Sequence, residues 1–251
     1  MLTATRSDGV RVVAVRELDD ADFLCPMCES SVTLKRGRVV TPHFAHKPGA
    51  DCPASEGESP RHLQAKLVLW QWFIKLGYEA QVEETHRDAG RRVDVAATLV
   101  DGKGMPWRFA IEAQDSSIQV QTMKDRISLD KRLGYVATGW VFTHHRASRL
   151  MTAGSDEVRV PDEMLYVENR YRKGVHVIDA STSTMWNLTL SSTNREDRSY
   201  SWYEQGGQLT GAHYPGRTPK TIKRIERQKV GFRIGVSLGR YSEYAVHFMT
   251  S

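Results

Sequence analysis

Every cysteine of this chain lies in one short stretch: Cys25-Pro26-Met27-Cys28, then Pro42-His43-Phe44-Ala45-His46, then Cys52. Three cysteines in 251 residues cannot staple a fold with disulfides, but three thiolates and one imidazole are the ligand set of a closed, four-coordinate zinc. In so short a segment such a site is structural. A Cys-x-x-Cys pair needs a tight turn that aims both sulfurs inward, and Pro26 suits it. His46, nearer Cys52, is the expected fourth ligand, with His43 the alternative, supporting from outside the ligand sphere if His46 binds. Ser31–Leu34 and Arg38–Val40 flank Lys35-Arg36-Gly37 and read as a short hairpin. Residues 1–56 are therefore expected to form a treble-clef or zinc-ribbon module.

The rest of the chain is long enough to bury a core, and 40% hydrophobic with 26% charged residues describes a soluble globular protein. No run approaches the roughly 18 apolar residues of a membrane span, and the opening Met1–Arg6 lacks a signal peptide's apolar core. With reduced thiols, the expectation is a cytoplasmic protein with no membrane partner. A formal charge of +5 permits a polyanionic partner without demanding one.

After a small-residue linker at Pro53–Gly57, Ser59 and Pro60 stand where a helix cap and first turn place them. The helix is expected to run to about Leu76, with Leu63, Leu67, Trp70, Phe73 and Ile74 on its apolar face and Gly77 as its stop. Glu58, His62 and Lys66, spaced by four, form a second, polar stripe, the pattern of a solvated face or of a site. Strands are expected at Tyr78–Glu84, Arg91–Val100 and Arg108–Gln114, joined by the turns Arg87–Gly90 and Asp101–Gly104. A helix at Ile118–Leu133 and a strand at Tyr135–Thr143 complete an α/β core in which a meander feeds a crossover.

Asp94 falls mid-strand among apolar residues, where a carboxylate is costly unless paired or metal-bound, and Glu112 falls in the next strand. If those strands are hairpin neighbours, the two carboxylates converge and offer hard oxygen ligands to Mg2+ or Mn2+, which would activate a water against a phosphate. The bland alternative is a pair of structural acids bonded to arginines such as Arg91 and Arg92.

Asp94 followed by Glu112-Ala113-Gln114 in this element order resembles the PD-(D/E)xK nuclease core, αβββαβ. The fuller set is more specific: Cys-x-x-Cys, His-Phe-Ala-His and Cys, then Glu58-Ser59-x-x-His62 with Lys66, then Arg-Val-Asp-Val and Ile-Glu-Ala-Gln-Asp-Ser-Ser-Ile. Over about residues 10–145 it resembles the competence protein CoiA-like nuclease family. The resemblance implies a DNA-processing nuclease with structural Zn2+, and catalytic Mg2+ or Mn2+ on Asp94 and Glu112. Its partners would be DNA and a recombination or competence protein. Gln114 takes the place of the motif's lysine; it can hydrogen-bond but supplies no charge. Lys66 or His62 could supply the missing cation or proton transfer, and Glu58 a further metal or water contact. Gln121, Lys124 and Arg126 on the following helix are expected to touch phosphate or base.

Residues 57–157 would then be the nuclease core and 158–251 a β-rich, basic extension, with strands around Gly174–Asp179 and Met185–Leu190 and an ordered loop at Thr193–Gly216. Between Arg217 and Arg233 one acid stands among seven basic residues, and Lys220, Lys223, Arg224 and Arg227 have helical spacing, the pattern of a phosphate-binding ridge. The expected activity is metal-dependent DNA hydrolysis; the alternative is a catalytically impaired nuclease fold that binds DNA or scaffolds a partner.

Overall fold

Short β-prone runs dominate the first fifty positions, and in the computed structural model they pair locally. The structure describes residues 1–52, 57–154, 157–193, 198–214, 216, 220–239 and 243–249. β1 (Thr3–Arg6), β2 (Arg11–Val13), β3 (Phe23–Leu24), β4 (Ser31–Lys35) and β5 (His43–His46) form an antiparallel sheet in the order β2-β1-β3-β4-β5. The hairpin partner of β4 is β5, with Lys35 opposite His43 and Val32 opposite His46, rather than the expected Arg38–Val40. Val39 is 97% exposed, so that stretch has no face to bury, whereas Phe44 anchors β5 in the module's core.

α1 (Pro60–Lys75) begins as its sequence dictates: Ser59 Oγ accepts from the His62 amide and proline occupies the first turn. It ends where Gly77 takes φ 82° and the Tyr78 amide reaches back to the Phe73 carbonyl. Its buried face differs from the expected one. Leu63, Ala65, Lys66, Val68, Leu69 and Phe73 point inward while Ile74 is 49% exposed. The stripe carrying Lys66 faces the protein, because buried carboxylates wait there.

The chain continues through β6 (Glu79–His86), β7 (Arg91–Val100), β8 (Pro106–Gln114), α2 (Val120–Arg132), β9 (Ala137–Thr143), α3 (Ser148–Thr152), β10 (Val158–Arg159) and α4 (Asp162–Tyr171). It ends with β11 (Val175–Asp179), β12 (Thr184–Ser192), β13 (Arg198–Tyr203), β14 (Leu209–Tyr214), β15 (Ile222–Val230), β16 (Ile234–Leu238) and β17 (Tyr244–Phe248). Eight strands form one mixed sheet in the order β10-β15-β12-β11-β9-β8-β7-β6. β6, β7 and β8 are an antiparallel meander; β8, β9 and β11 run parallel, joined by helical crossovers. From Val158 onward, β10, β11, β12 and β15 thus extend the same sheet, while β13–β14 and β16–β17 pair as separate hairpins.

Two cores cover its faces. One joins α1 to Val95, Ile111, Val141 and Met185 and to the β16–β17 hairpin, where Phe248 stacks on Phe73 at 6.3 Å. The other joins Met123 of α2, Leu150 of α3 and Met164 of α4 to Trp140, Phe142 and Val177. Gly139 lets the hairpin approach: a Cβ there would lie 3.0 Å from Ile111 and 3.2 Å from Val246. No helix among the described residues is long and apolar enough to cross a membrane.

Two expectations for the last hundred residues are corrected. The stretch expected to be an ordered loop contains the antiparallel β13–β14 hairpin. The basic stretch with helical spacing is β15, paired with β12 from Ser192↔Lys223 to Met185↔Val230. Ile225 and Val230 are buried there, and a full-length strand partner outweighs helical spacing. Strand alternation sends Lys223 and Arg227 to one face and Arg224 to the other, which splits the ridge. Lys220 lies in the preceding turn, while Arg217 and the linker residues 53–56 lie outside the described residues.

His176 of β11 gives this core a pH dependence. It is buried, its Nε2 accepts from the Phe248 amide at 3.2 Å, and burial, with His247 adding to it, pushes its pKa down to about 3. The unfolded chain takes up a proton near pH 6.5 that the folded chain refuses, so stability is full above that pH and declines as pH falls toward 3. Urea unfolding between pH 7 and pH 4.5 is expected to show His176→Asn with a shallower decline, by up to about 1.4 kcal/mol per pH unit. Equal slopes would refute the assignment.

Candidate functional site

The metal-type cluster comes first in the chain. Cys25 follows the end of β3, Cys28 lies on the turn after it, His46 ends β5, and Cys52 follows. One donor atom from each lies within 4.8 Å of the others. The turn is held by Cys25 N donating to Ser30 O and Glu29 N to Cys25 O, both 2.9 Å, with Glu29 in the left-handed region at φ 58°. His43 points elsewhere: its Nδ1 meets the Thr41 carbonyl at 2.9 Å, because an odd spacing along β5 sends residues 43 and 46 to opposite faces. Burial pushes the Cys25 thiol up to about 11. At Cys28 burial acts upward too, but hydrogen bonds from Ser30 and His46 outweigh it and bring the thiol down to about 6. Three thiols and an imidazole at this spacing could hold a structural metal such as zinc.

The second cluster lies at one end of the central sheet. Continuing the β7–β8 register from Val95↔Ile111 sets Asp94 opposite Glu112. The two interlock: Asp94 N donates to Glu112 Oε1 at 3.3 Å, and Ala113 N donates to Asp94 Oδ2 at 2.9 Å. Their ionic partners differ. Glu112 accepts from Arg91 at 2.8 Å and from Arg126 at 2.9 Å, while Asp94 meets His62 Nε2 at 3.1 Å and Lys66 Nζ at 3.8 Å. Glu58, just before α1, joins Lys66 at 2.5 Å, Arg92 at 3.2 Å and His62 Nδ1 at 3.6 Å. Glu58, His62 and Asp94 thus bring donor atoms within 4.8 Å of one another. Burial alone would raise the Asp94 pKa, but His62, Lys66 and Arg92 outweigh it and hold the carboxyl well below the usual range. Burial would lower the pKa of His62, and Asp94 more than reverses that.

Lys66 is 0% exposed, and its second acid, Glu83 at 2.5 Å, is not among the residues that the sequence singles out. Glu83 also accepts from the Leu2 amide at 2.7 Å and the Thr3 amide at 3.0 Å, with its own backbone strained to φ 54°. The available signal is Lys66 itself, three residues from Leu63 and Leu69 on the apolar register of α1. A lysine there requires buried counter-charge. Asp115 stands in the Ile-Glu-Ala-Gln-Asp-Ser-Ser-Ile motif without a role assigned from sequence: Ser59 and Thr143 hydroxyls donate to it at 2.5 Å and Arg61 Nε at 3.3 Å.

Glu58, His62, Arg92, Asp94, Glu112 and Asp115 wall a cleft of about 670 Å3 that also includes Met27, Gln114, Thr122 and Arg132. Gln114 lines it, whereas Gln121 and Lys124 are not gathered there. The Gln114 amide donates to Ser116 O at 2.9 Å, Gln121 donates to Asp125 at 2.8 Å, and Lys124 reaches the Tyr166 ring of α4. Lys223, Arg224 and Arg227 sit on β15, separated from β8 by three strands; Lys223 donates to Ser192 Oγ and Arg227 to the Leu150 carbonyl.

Two measurements bear on these clusters. Protein prepared without chelator is expected to carry about one equivalent of zinc by elemental analysis, with Cys52→Ser losing most of it. Less than about half an equivalent would remove the metal reading of that cluster. Lys66→Met leaves the second cluster's carboxylates without their shared cation and is expected to cost about 3–5 kcal/mol in urea unfolding. A cost near that of an exposed substitution would show that the buried cation is dispensable.

Comparison with known proteins gives this arrangement a family. The N-terminal domain of competence protein CoiA matches residues 8–55, and the CoiA nuclease-like domain matches residues 58–199. Competence protein CoiA of Bacillus subtilis (strain 168) is 29% identical over 128 residues, covering 51% of this chain and 33% of that protein. Druantia protein DruB of Escherichia coli (strain UMEA 4076-1) is 40% identical over 47 residues, 18% of this chain and 9% of that protein. The chain thus spans a third or less of the length of these relatives. No solved structure matches it. With the nuclease-like model alone covering more than half of its residues, the chain belongs to the competence protein CoiA family.

Proposed function

We propose that this protein is a metal-dependent DNA nuclease, hydrolysing phosphodiester bonds in DNA processing, recombination or uptake. The observation that carries the reading is the meeting of Asp94, Glu58 and His62 beside Glu112 in a cleft edged by Arg92, Arg126 and Arg132. Two carboxylates and an imidazole within 4.8 Å are a donor set that fits a divalent ion such as Mg2+ or Mn2+. Asp94, Glu58 and His62 would hold it, with Glu112 alongside. When bound, such an ion supplies Lewis acidity and eases deprotonation of water.

The chain's own groups supply the rest. Asp94 stays ionised at neutral pH, and the Ala113 amide fixes its orientation. Arg92 has Nη1 buried with no hydrogen-bond partner among the described residues, a donor left over for a phosphate oxygen. Lys66, sealed from solvent, cannot touch a substrate; it positions Glu58 and Asp94 in place of the cation that Gln114 lacks.

A second reading has its own support. Glu112 already spends both oxygens on guanidinium groups, the pattern of a structural acid, which favours a DNA-binding or scaffold protein on a nuclease fold. One assay separates them: single-stranded, duplex and branched DNA offered to purified protein with Mg2+ or Mn2+. Cleavage is expected, and Asp94→Asn is expected to lower its rate by about a hundredfold or more while DNA binding persists. Wild-type protein that binds but cuts none of these substrates would transfer the conclusion to the second reading.

A further inference from the structure

Asp115 lines the cleft of the acids and also a second one, of about 1030 Å3, so the two meet at its carboxylate. That carboxylate is a fixed saddle, tied to the α1 cap through Ser59 and to the end of β9 through Thr143. The second cleft is walled by α3 with the turn before it, by β10 and by the first turn of α4, over an apolar floor that includes Ile118, Leu150 and Val160.

Its charges are unequally committed. Arg146 is paired with Glu163, and Asp115 is held by its three donors. Arg149 and Arg159 are exposed, and neither guanidinium has a hydrogen bond or ion pair among the described residues. Asp162, also exposed, is the acid that remains. The strand whose spacing suggests a binding ridge builds this wall instead. Arg159 stands opposite Ile222 of β15, Val160 N donates to Thr221 O at 2.8 Å, and Arg227 donates to the Leu150 and Ala153 carbonyls at the end of α3. Those carbonyls belong to the helix's unsatisfied last turn, so the bond fixes the helix that carries Arg149.

We propose that the second cleft continues the nucleic-acid track past Asp115, with Arg149 and Arg159 contacting phosphates of the strand on one side of the bond at Asp94. The position of that bond rests on the nuclease reading; the track itself does not. Guanidinium forks match phosphate oxygens, and the apolar floor suits sugars and bases. The substrate is then a strand long enough to occupy both clefts.

Fluorescence anisotropy tests this in an Asp94→Asn background, so that no probe is cut. The probes are labelled single strands and duplexes of about 6 and about 20 nucleotides. Arg149→Ala/Arg159→Ala is expected to weaken binding of the long probe about tenfold and to leave the short one nearly unchanged. For single strands its salt slope should fall by about 1.4, the change expected when two phosphates are no longer neutralised. Arg149→Lys/Arg159→Lys should recover most of the affinity, and an unchanged thermal midpoint shows that the wall still folds. The form of DNA that shows the length-dependent loss is the one the track takes. Equal loss at both lengths, no loss, or no strand binding by the parent would each overturn the proposal. If the wild type cuts DNA and the alanine pair binds long probes normally, the track fails and the nuclease reading stands. If nothing is cut but the length-dependent loss appears, the reverse holds.

Discussion

The ammonium of Lys66 has no water to turn to, and the functional edge of the protein is arranged around that fact. Burying a lone cation is prohibitive, so three carboxylates from three places gather on it: Glu58 before α1, Glu83 from β6 and Asp94 from β7. Glu83 in turn holds the amides of Leu2 and Thr3, which brings the N-terminal sheet to the same point. An apolar cluster of equal volume would hold the elements together at least as well, since desolvation consumes most of what a buried ion pair returns. What the ions add is placement, because a carboxylate with a fixed partner has a fixed direction. That is the property a site needs from Asp94 and Glu58.

The same arrangement sets the protonation states. Asp94 is kept ionised by His62 and Lys66 against its burial, and His62 keeps its proton longer because Asp94 is ionised. Glu112 belongs to a different circuit, in which Arg91 bridges it to Asp130 on α2 at 2.8 Å and Arg126 closes the other side. The two acids that the sequence singles out together are therefore neighbours with separate ionic partners. One is tied to the α1 side of the sheet and the other to the α2 side.

How much of this could be read in advance follows from the range of each interaction. Ser59-Pro60 and Gly77 bound α1 through contacts within a turn, and the strands around Asp94 and Glu112 follow from apolar runs bounded by turn residues; all of these are visible in the residues. The Cys-x-x-Cys pair and Cys52 are visible because thiolates have few uses in such a cluster, and the choice of His46 over His43 needs only the face of β5. What escapes depends on distant partners. Glu83 looks like one more acid in an exposed strand until the Lys66 ammonium and the Leu2 amide arrive from other parts of the chain. The basic stretch around Arg224 has helical spacing, yet whether it becomes helix or strand depends on the free edge of β12, which no local pattern reveals.

The fate of that basic stretch carries the last step. A count of cations points to the C-terminal stretch, but binding depends on which cations are uncommitted. Arg227 is spent on the carbonyls that end α3, and Lys223 on Ser192, so two of that stretch's cations are used inside the fold. Three donors without a partner among the described residues are scattered in sequence, at Arg92 Nη1 in β7, whose Nη2 pairs with Glu58, and at Arg149 in α3 and Arg159 in β10, yet all three residues line two clefts that meet at Asp115. A groove assembled this way leaves no basic run in the sequence, because each element contributes one side chain. Its charge is modest, so affinity along it must come from strand length more than from any one contact, each ion released adding a small, salt-dependent increment. The same geometry requires that the wall be rigid, which is what the bonds from β15 to β10 and α3 provide.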